Sequence, residues 1–173
     1  MTRYILLLRA INVGGKNLLP MKELRTVLEK ANYSNVKTYI QSGNVILDAP
    51  KNPEKEIKAL IDTNFHFIPE IMVLTATAFS AIVLNNPYSE YEGKRVHIYI
   101  CKQCPTLQVE KTRHLAADTE QYTLIDKVFY LYAQDGIARS KLVANIEKCL
   151  GVAATGRNLN TINKLNAMID NID

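Results

Sequence analysis

Two hairpin signals, each lying between helical segments, constrain the fold of this 173-residue chain more than any other feature. In the first half, β-rich runs at residues 36–41 and 45–48 surround Ser42-Gly43, a turn signal. The flanking elements are a strand at 3–9, a helix from Pro20, a helix after Asn52-Pro53 and a strand at 71–74. The resulting order, βαββαβ, predicts a ferredoxin-like unit.

A related order repeats in the second half. A connector helix is predicted at residues 76–84, and the repeat then continues to the end of the chain. Its elements are a strand at 96–101, a helix from Pro105, a hairpin of 122–125 and 128–133, a helix at 137–150, a short closing strand at 152–154 and a final helix at 159–172. We therefore predict an α+β fold of two packed ferredoxin-like units with an extra C-terminal helix, divided into domains 1–74 and 75–173.

The first strand is apolar on both of its alternating faces, with Ile5 and Leu7 on one and Tyr4, Leu6 and Leu8 on the other. An isolated ferredoxin-like sheet leaves one face in water. The pattern therefore predicts that both faces are covered, with the second half as the expected cover.

Composition narrows the class of protein without naming a partner. Hydrophobic residues make up 47% of the chain and the net charge is +4, which fits nucleic acid or phosphate partners but does not require them. The apolar run at residues 4–8 is too short for a signal peptide or a membrane span. Three cysteines argue against a secreted disulfide scaffold. We expect a cytoplasmic protein with no membrane partner.

The run Arg9 to Asn17 follows the first strand and combines two cations, two amides and Gly14-Gly15. Glycines let backbone N–H groups approach a ligand closely, so the run suits an anion. It lacks the spacing of a P-loop and of a dinucleotide-binding loop. A tight turn with a solvated lysine is the alternative.

Two further polar clusters have the same double interpretation. Residues 41–44 (Gln-Ser-Gly-Asn) form the first hairpin tip, where simple turn chemistry suffices. Whether this tip lies at the same sheet edge as Asn12 is open. Thr155 to Asn158 precedes the last helix, where Thr155 or Asn158 suits an N-cap and Arg157 suits an anion at the helix N-terminus.

Other candidate sites are weaker. His97 would lie roughly 13 Å from Cys101 along a strand, and His114 roughly 15 Å from Cys104 along a helix, too far to share a metal. We therefore expect ordinary thiols at Cys101 and Cys104, no bound metal and no cofactor. His97, Tyr99, Tyr130 and Tyr132 have the spacing to share a sheet face as a base-stacking platform, or simply to pack. No catalytic set is recognisable, because the polar clusters contain no carboxylate or histidine.

Several ordered motifs together resemble a widespread bacterial family of unknown function. They are Arg9-Ala-Ile-Asn-Val-Gly-Gly-Lys-Asn17, Leu19-Pro-Met21, Tyr39-Ile-Gln-Ser-Gly-Asn-Val45, Ser140-Lys-Leu142 and Thr155-Gly-Arg-Asn158 with Thr161 and Lys164-Leu165. The resemblance covers essentially the whole chain and implies a pair of ferredoxin-like domains. It implies no activity. Leu159 departs from the family, which has Trp there, and this weakens any idea of base stacking at that position.

Three interpretations stay open. The first is binding of a phosphate-bearing ligand or nucleic acid, the second an enzyme acting on a small phosphorylated metabolite through Lys16 or Ser140, and the third a structural lock between the two halves. No catalytic residue is assigned, an enzyme is the less favoured interpretation, and the oligomeric state is open. The candidate ligand-binding residues are Arg9, Asn12, Gly14, Gly15, Lys16, Asn17, Gln41, Ser42, Asn44, Arg157 and Asn158.

Overall fold

The computed structural model of the protein describes residues 1–171, which form two compact units. The first unit comprises Met1–Ala81 together with the described residues from Leu165 onward, and the second comprises Ile82–Lys164. The domains predicted from the sequence are residues 1–74 and 75–173. These ranges divide the chain at other residues than the two units do, and the division into domains stays a prediction. Ile172, the predicted end of the last helix, lies outside the described residues.

The first unit contains a four-stranded antiparallel sheet in the order β2-β3-β1-β4, which is the ferredoxin-like order. Its elements are β1 (Thr2–Arg9), α1 (Met21–Lys30), β2 (Ser34–Tyr39), β3 (Asn44–Ala49), α2 (Glu54–Phe65), β4 (Glu70–Thr75) and α3 (Ala76–Leu84). Leu6 and Leu8 pack with Leu24, Leu28 and other side chains of one apolar core.

The second unit repeats this topology, with a sheet in the order β6-β7-β5-β8. A 3-10 turn (Gly93–Arg95) precedes β5 (Val96–Cys101), α4 (Val109–Leu115), β6 (Glu120–Ile125), β7 (Val128–Ala133), α5 (Lys141–Ala144), α6 (Ile146–Leu150), β8 (Ala154–Asn158) and α7 (Leu159–Asp170). Helix α7 begins in the second unit and belongs to the first from Leu165 onward, whereas α3 begins in the first unit and belongs to the second from Ile82. The α+β class with two ferredoxin-like units and a C-terminal helix is therefore confirmed.

The central strand of the first unit is buried on both faces, as its apolar pattern predicts. Leu6 and Leu8 belong to the core described above, and Ile5 and Leu7, on the opposite face, are equally buried. At the start of the strand, Arg3 is paired with Asp48 at 2.9 Å and donates a second hydrogen bond to the carbonyl of Ile169 at 2.9 Å. The Arg3 side chain therefore links β1 to the C-terminal helix.

The repeat extends by one helix beyond βαββαβ, because the fourth strand of each unit runs directly into a capped helix. The hydroxyl of Thr75 accepts a hydrogen bond from Ala78 N at 3.2 Å, and Asn158 Oδ1 accepts one from Thr161 N at 2.9 Å. Each side chain thus satisfies an amide of the first helical turn. The predicted connector and the predicted extra helix are equivalent elements of the two units.

Three predicted element boundaries are wrong in the second unit. Helix α4 begins at Val109 and not at Pro105, because Thr106 N and Gln108 N bond instead to the carbonyls of Leu150 and Cys149. The helix predicted over 137–150 is two short helices separated at Asn145. The closing strand is Ala154–Asn158, so the segment predicted as a loop before the last helix is paired with β5.

Candidate functional site

The loop between β1 and α1, residues 10–20, holds its backbone in a series of left-handed residues. Positive φ angles occur at Ala10, Asn12, Gly14, Gly15 and Asn17. Lys16 N donates to the carbonyl of Val13 at 3.1 Å, so residues 13–16 close a tight turn whose two central residues are the glycines. Both glycines need positive φ, as in type I′ turns, which explains their presence at the tip.

Asn12 fixes this loop to its surroundings. Its Nδ2 donates to the carbonyls of Leu19 at 3.0 Å and Gln41 at 2.8 Å, and its Oδ1 accepts from Leu19 N at 2.8 Å. Both amide hydrogens of Asn12 are therefore used within the first unit. The hydrogen bond to Gln41 also places the hairpin tip beside the loop, which answers the question left open by the sequence.

The hairpin tip, residues 40–43, adjoins the end of β1 because β3 is the direct neighbour of β1. Leu8 N donates to the carbonyl of Gly43 at 2.7 Å. Gly43 has a φ of +91°, and a Cβ built there would lie 2.8 Å from Leu8 Cβ and 2.5 Å from Ile11 Cδ1. Glycine is therefore required by both backbone conformation and space.

Two other predicted amides also hold the loops in place. Asn44 is fully buried, and its Nδ2 donates to the carbonyl of Tyr39 at 2.9 Å and to the hydroxyl of Ser42 at 3.2 Å. Asn17 Nδ2 donates to the carbonyl of Ala10 at 3.1 Å. The conformation of both loops is thus fixed by side-chain amides, since buried polar groups are stabilising when hydrogen-bonded.

The outer surface of the two loops is cationic and apolar. Lys16 is exposed at the end of the glycine turn, with exposed Gln41 and Ser42 on the hairpin tip. Val13, Leu18 and Ile40 are 69%, 63% and 48% exposed. These three aliphatic residues were not among the predicted site residues. Val13 and Leu18 each follow an asparagine of the loop, which is the signal that was missed.

Ile40 combines this exposure with an unfavourable backbone. Its φ is +49°, a region that costs an L-residue roughly 1–2 kcal/mol and that β-branched residues rarely occupy. Such strained residues cluster at functional sites. The stability of the fold therefore does not explain why an isoleucine occupies position 40 of the hairpin tip.

Arg157 and Asn158 belong to the second unit. Arg157 lies in β8 opposite Ile98, and Nη1 donates to the carbonyl of Gly156 at 2.9 Å. Burial lowers the pKa of its guanidinium to about 10, so the group stays protonated at neutral pH. Asn158 caps α7, which agrees with the simpler of its two interpretations.

The predicted aromatic platform is wrong. In the β5–β7 register Tyr99 pairs with Phe129, whereas Ile98 pairs with Tyr130 and Val96 with Tyr132. Tyr99 therefore faces the opposite side of the sheet from Tyr130 and Tyr132. Both Tyr99 and Tyr130 are buried, and the Tyr130 hydroxyl donates to the carbonyl of Ile82 at 2.7 Å. A base cannot stack on these rings.

The cysteines have the environment of packed thiols. Cys101 and Cys149 are buried in one apolar core, and Cys104 is exposed. Burial, with smaller contributions from Cys104 and Glu147, raises the pKa of the Cys101 thiol to about 11. A thiol at this pKa is a poor nucleophile at neutral pH. Within residues 1–171, no group of three or more His, Cys, Asp or Glu side chains is placed to hold a metal ion.

A cleft of about 360 Å³ in the second unit includes Ser140, the residue considered for catalysis. Its hydroxyl accepts a hydrogen bond from Val143 N at 3.1 Å and so caps α5. Glu120 and Asp135 line the same cleft, with Arg139 as a cation. Two carboxylates beside one arginine disfavour a phosphorylated ligand at this position.

The fold and the polar loops define a class: a protein of two ferredoxin-like units whose first unit carries, between β1 and α1, a glycine-lysine loop held by side-chain amides. Residues 1–130 match the family described as protein of unknown function (DUF1697). The chain therefore belongs to that family.

A solved structure supports the fold. The conserved bacterial protein SP0830 from Streptococcus pneumoniae is 24% identical and superposes with a TM-score of 0.73, over 97% of this chain and 98% of that chain. No curated protein matches the sequence. Among the described helices, none combines the length and the hydropathy needed to cross a bilayer.

Proposed function

We propose that the glycine-lysine loop, residues 12–17, binds the phosphate group of a ligand or of a nucleic acid. The observation that carries the proposal is the exposed ammonium group of Lys16 beside the turn formed by Gly14 and Gly15. The amides of these two glycines make no hydrogen bond among the described residues. Backbone N–H groups and a lysine are the donors that phosphate-binding loops use.

The remaining candidate residues divide into two roles in this proposal. Asn12 and Asn44 support the loops, because their amide hydrogens are donated to groups of the first unit. Asn17 also supports the loop through its bond to Ala10, whereas Lys16 and Gln41 are exposed and supply the contacts. Arg9, at the end of β1, adds positive charge near the loop. A preorganised loop lowers the ordering cost of binding.

Binding is favoured over catalysis for a chemical reason. The loop brings together amides, glycines and a lysine, and none of these residue types acts as a general base at its usual pKa. The positive net charge suits a phosphate-bearing partner. We propose that this bacterial protein resides in the cytoplasm, where free thiols such as that of the exposed Cys104 stay reduced.

The test compares Lys16→Ala with Lys127→Ala, a matched loss of an exposed lysine from the hairpin turn of the second unit. Titrations use pyrophosphate and a single-stranded oligonucleotide at low salt. We expect Lys16→Ala to weaken binding about ten- to a hundredfold, because a charge-assisted hydrogen bond contributes roughly 1.5–3 kcal/mol. Lys127→Ala should bind like the wild type.

Thermal melts of the same variants separate binding from folding. Loss of an exposed side chain changes stability by no more than about 0.5 kcal/mol, so Lys16→Ala should melt with the wild type. A melting temperature lowered by several degrees would instead support a structural role for the loop. Equal affinity of the wild type and Lys16→Ala for both probes would refute the proposal.

A further inference from the structure

A pair of stacked tyrosines lies on the surface of the second unit and joins Tyr132 to Tyr91, which was not part of the predicted platform. The rings of Tyr91 and Tyr132 are 4.0 Å apart between centroids and 21° from parallel. Tyr91 is 42% exposed, whereas Tyr132, its partner, is partly buried in β7. The packed pair therefore leaves part of the Tyr91 ring open to solvent.

The position of Tyr91 is held by its neighbours. Tyr91 N donates to the carbonyl of Tyr88 at 3.2 Å, and the Tyr88 hydroxyl is 2.8 Å from Thr123 Oγ1. The Tyr88 ring lies 6.2 Å from that of Tyr91 at 52°. Tyr91 is thus presented in one orientation by a turn that is itself tied to the edge strand β6.

Cationic side chains lie at the same end of the sheet. Tyr132 pairs with Val96, the first residue of β5, and the 3-10 turn Gly93–Arg95 directly precedes that strand. Lys94 is largely exposed and is 2.9 Å from Glu92, and Arg95 Nε is 3.7 Å from the other oxygen of the same carboxylate, so a phosphate would have to displace Glu92 from these cations. Arg95 lies near Gly136, just beyond the end of β7, since a Cβ built on that glycine would be 3.0 Å from Arg95 Nη1.

We propose that Tyr91 is a stacking platform for a base of single-stranded nucleic acid, with Lys94 and Arg95 contacting the adjoining phosphates. The inference rests on the proposed phosphate-binding function and narrows its ligand class. An open aromatic face beside lysine and arginine is the combination that single-strand binding proteins use. Duplex is disfavoured, because its bases are already stacked and offer no face to an isolated ring.

The experiment measures binding of a single-stranded dT oligonucleotide, the same-length abasic oligonucleotide and pyrophosphate to four proteins. They are the wild type, Tyr91→Phe, Tyr91→Leu and Lys16→Ala. Tyr91→Phe keeps the aromatic face, and Tyr91→Leu keeps apolar cover over Tyr132 without it. Thermal melts confirm that each variant is folded.

We expect Tyr91→Leu to weaken dT binding about five- to a hundredfold, the usual effect of one lost base stack, and to leave abasic and pyrophosphate binding unchanged. Tyr91→Phe should bind dT like the wild type. Equal dT affinity of Tyr91→Leu and the wild type overturns the inference, as does an equal loss for dT and abasic probes.

The two proposals fail separately. Pyrophosphate binding that depends on Lys16, with no detectable dT binding by the wild type, overturns the stacking site and leaves the phosphate loop standing. Binding of dT that depends on Tyr91 but is indifferent to Lys16 does the reverse. A wild type that binds none of the three probes overturns both.

Discussion

The two units share a framework and differ at one end of their sheets. In the first, Leu8 N donates to Gly43 of the hairpin tip at 2.7 Å, and in the second, Cys101 N donates to Lys127 at 2.8 Å in the same topological position. The first tip is a four-residue loop, whereas the second is a tight turn at Asp126-Lys127. The divergence is therefore local to the loops.

The loops that follow the first strands differ in the same way. In the first unit, residues 10–20 and 40–43 contain seven residues with positive φ, and side-chain amides hold them. In the second, only Asp126 among residues 102–108 and 126–127 has positive φ, and backbone bonds from Thr106 and Gln108 tie the loop to α6. The left-handed loop backbone is therefore a feature of the first unit that the shared framework does not require.

The largest effect should come from Gly43→Ala. The new Cβ would meet Leu8 and Ile11 in a left-handed backbone, so strain and overpacking together lower the free energy of unfolding by about 3 kcal/mol. Lys127→Ala, at the matching position of the second unit, should change it by less than about 0.5 kcal/mol. Urea denaturation measures both. Equal stabilities would show that the first hairpin tip is no more constrained than the second.

The second effect concerns the amide bracing. Asn12→Ala removes three hydrogen bonds and should cost about 2 kcal/mol, while Asn17→Ala removes one and should cost about 1 kcal/mol. Both asparagines have φ near +50°, so the loss of left-handed preference is the same in each variant. Denaturant midpoints that rank the two variants in the opposite order would contradict this account.

A reciprocal exchange gives the third effect. Ile40 and Asp126 both lie in hairpin turns with positive φ, at 49° and 51°. Because Asn and Asp tolerate this region far better than a β-branched residue, Ile40→Asn should stabilise the protein and Asp126→Ile should destabilise it, each by about 1 kcal/mol. Shifts of melting temperature with the same sign in both variants would exclude backbone strain as the cause.

The smallest effect is a pH dependence in the second unit. Burial lowers the pKa of His97, although a backbone hydrogen bond with Lys94 partly opposes this, and Nε2 is buried with no hydrogen-bond partner among residues 1–171. The folded state therefore resists protonation, and its stability is retained above the unfolded pKa of about 6.5 and lost as the pH falls below it. In the first unit, Tyr4 occupies the matching strand position, so that unit has no histidine there.

Chemical denaturation at pH 7.5 and pH 5.5 measures this effect. His97→Gln lacks the titrating group, so it should lose less stability than the wild type on acidification. An identical loss in the two proteins would place the pH dependence elsewhere.

The frameworks were predictable because their residues favour the structures they adopt. Strands β5 and β7 follow the predicted bounds, since valine, isoleucine, tyrosine and phenylalanine dominate both runs. Strand β8 was placed too early because Gly156 and Asn158 disfavour strands. The ring of Tyr99 lies over Gly156, where a Cβ would be 2.6 Å from Cε1, and pairing with β5 overrides local preference.

The candidate site was predictable in part. The motif located the loop and the hairpin tip, but their adjacency was left open because it depends on the pairing of β1 with β3. The left-handed backbone of Ile40 leaves no trace in composition or periodicity. The exposed ring of Tyr91 was missed because it lies in an irregular segment before β5.

The bracing of the glycine-lysine loop has a consequence for hydrogen exchange. The backbone amides of Asn12, Lys16 and Leu19 all donate hydrogen bonds, although the outer side chains of the loop are exposed. The amides of Gly14 and Gly15 donate none among the described residues. Exchange should therefore be slow at the base of the loop and fast at its two glycines. If pyrophosphate slows exchange only at the two glycines, the anion binds at their amides. This measurement locates the binding site without any substitution in the chain.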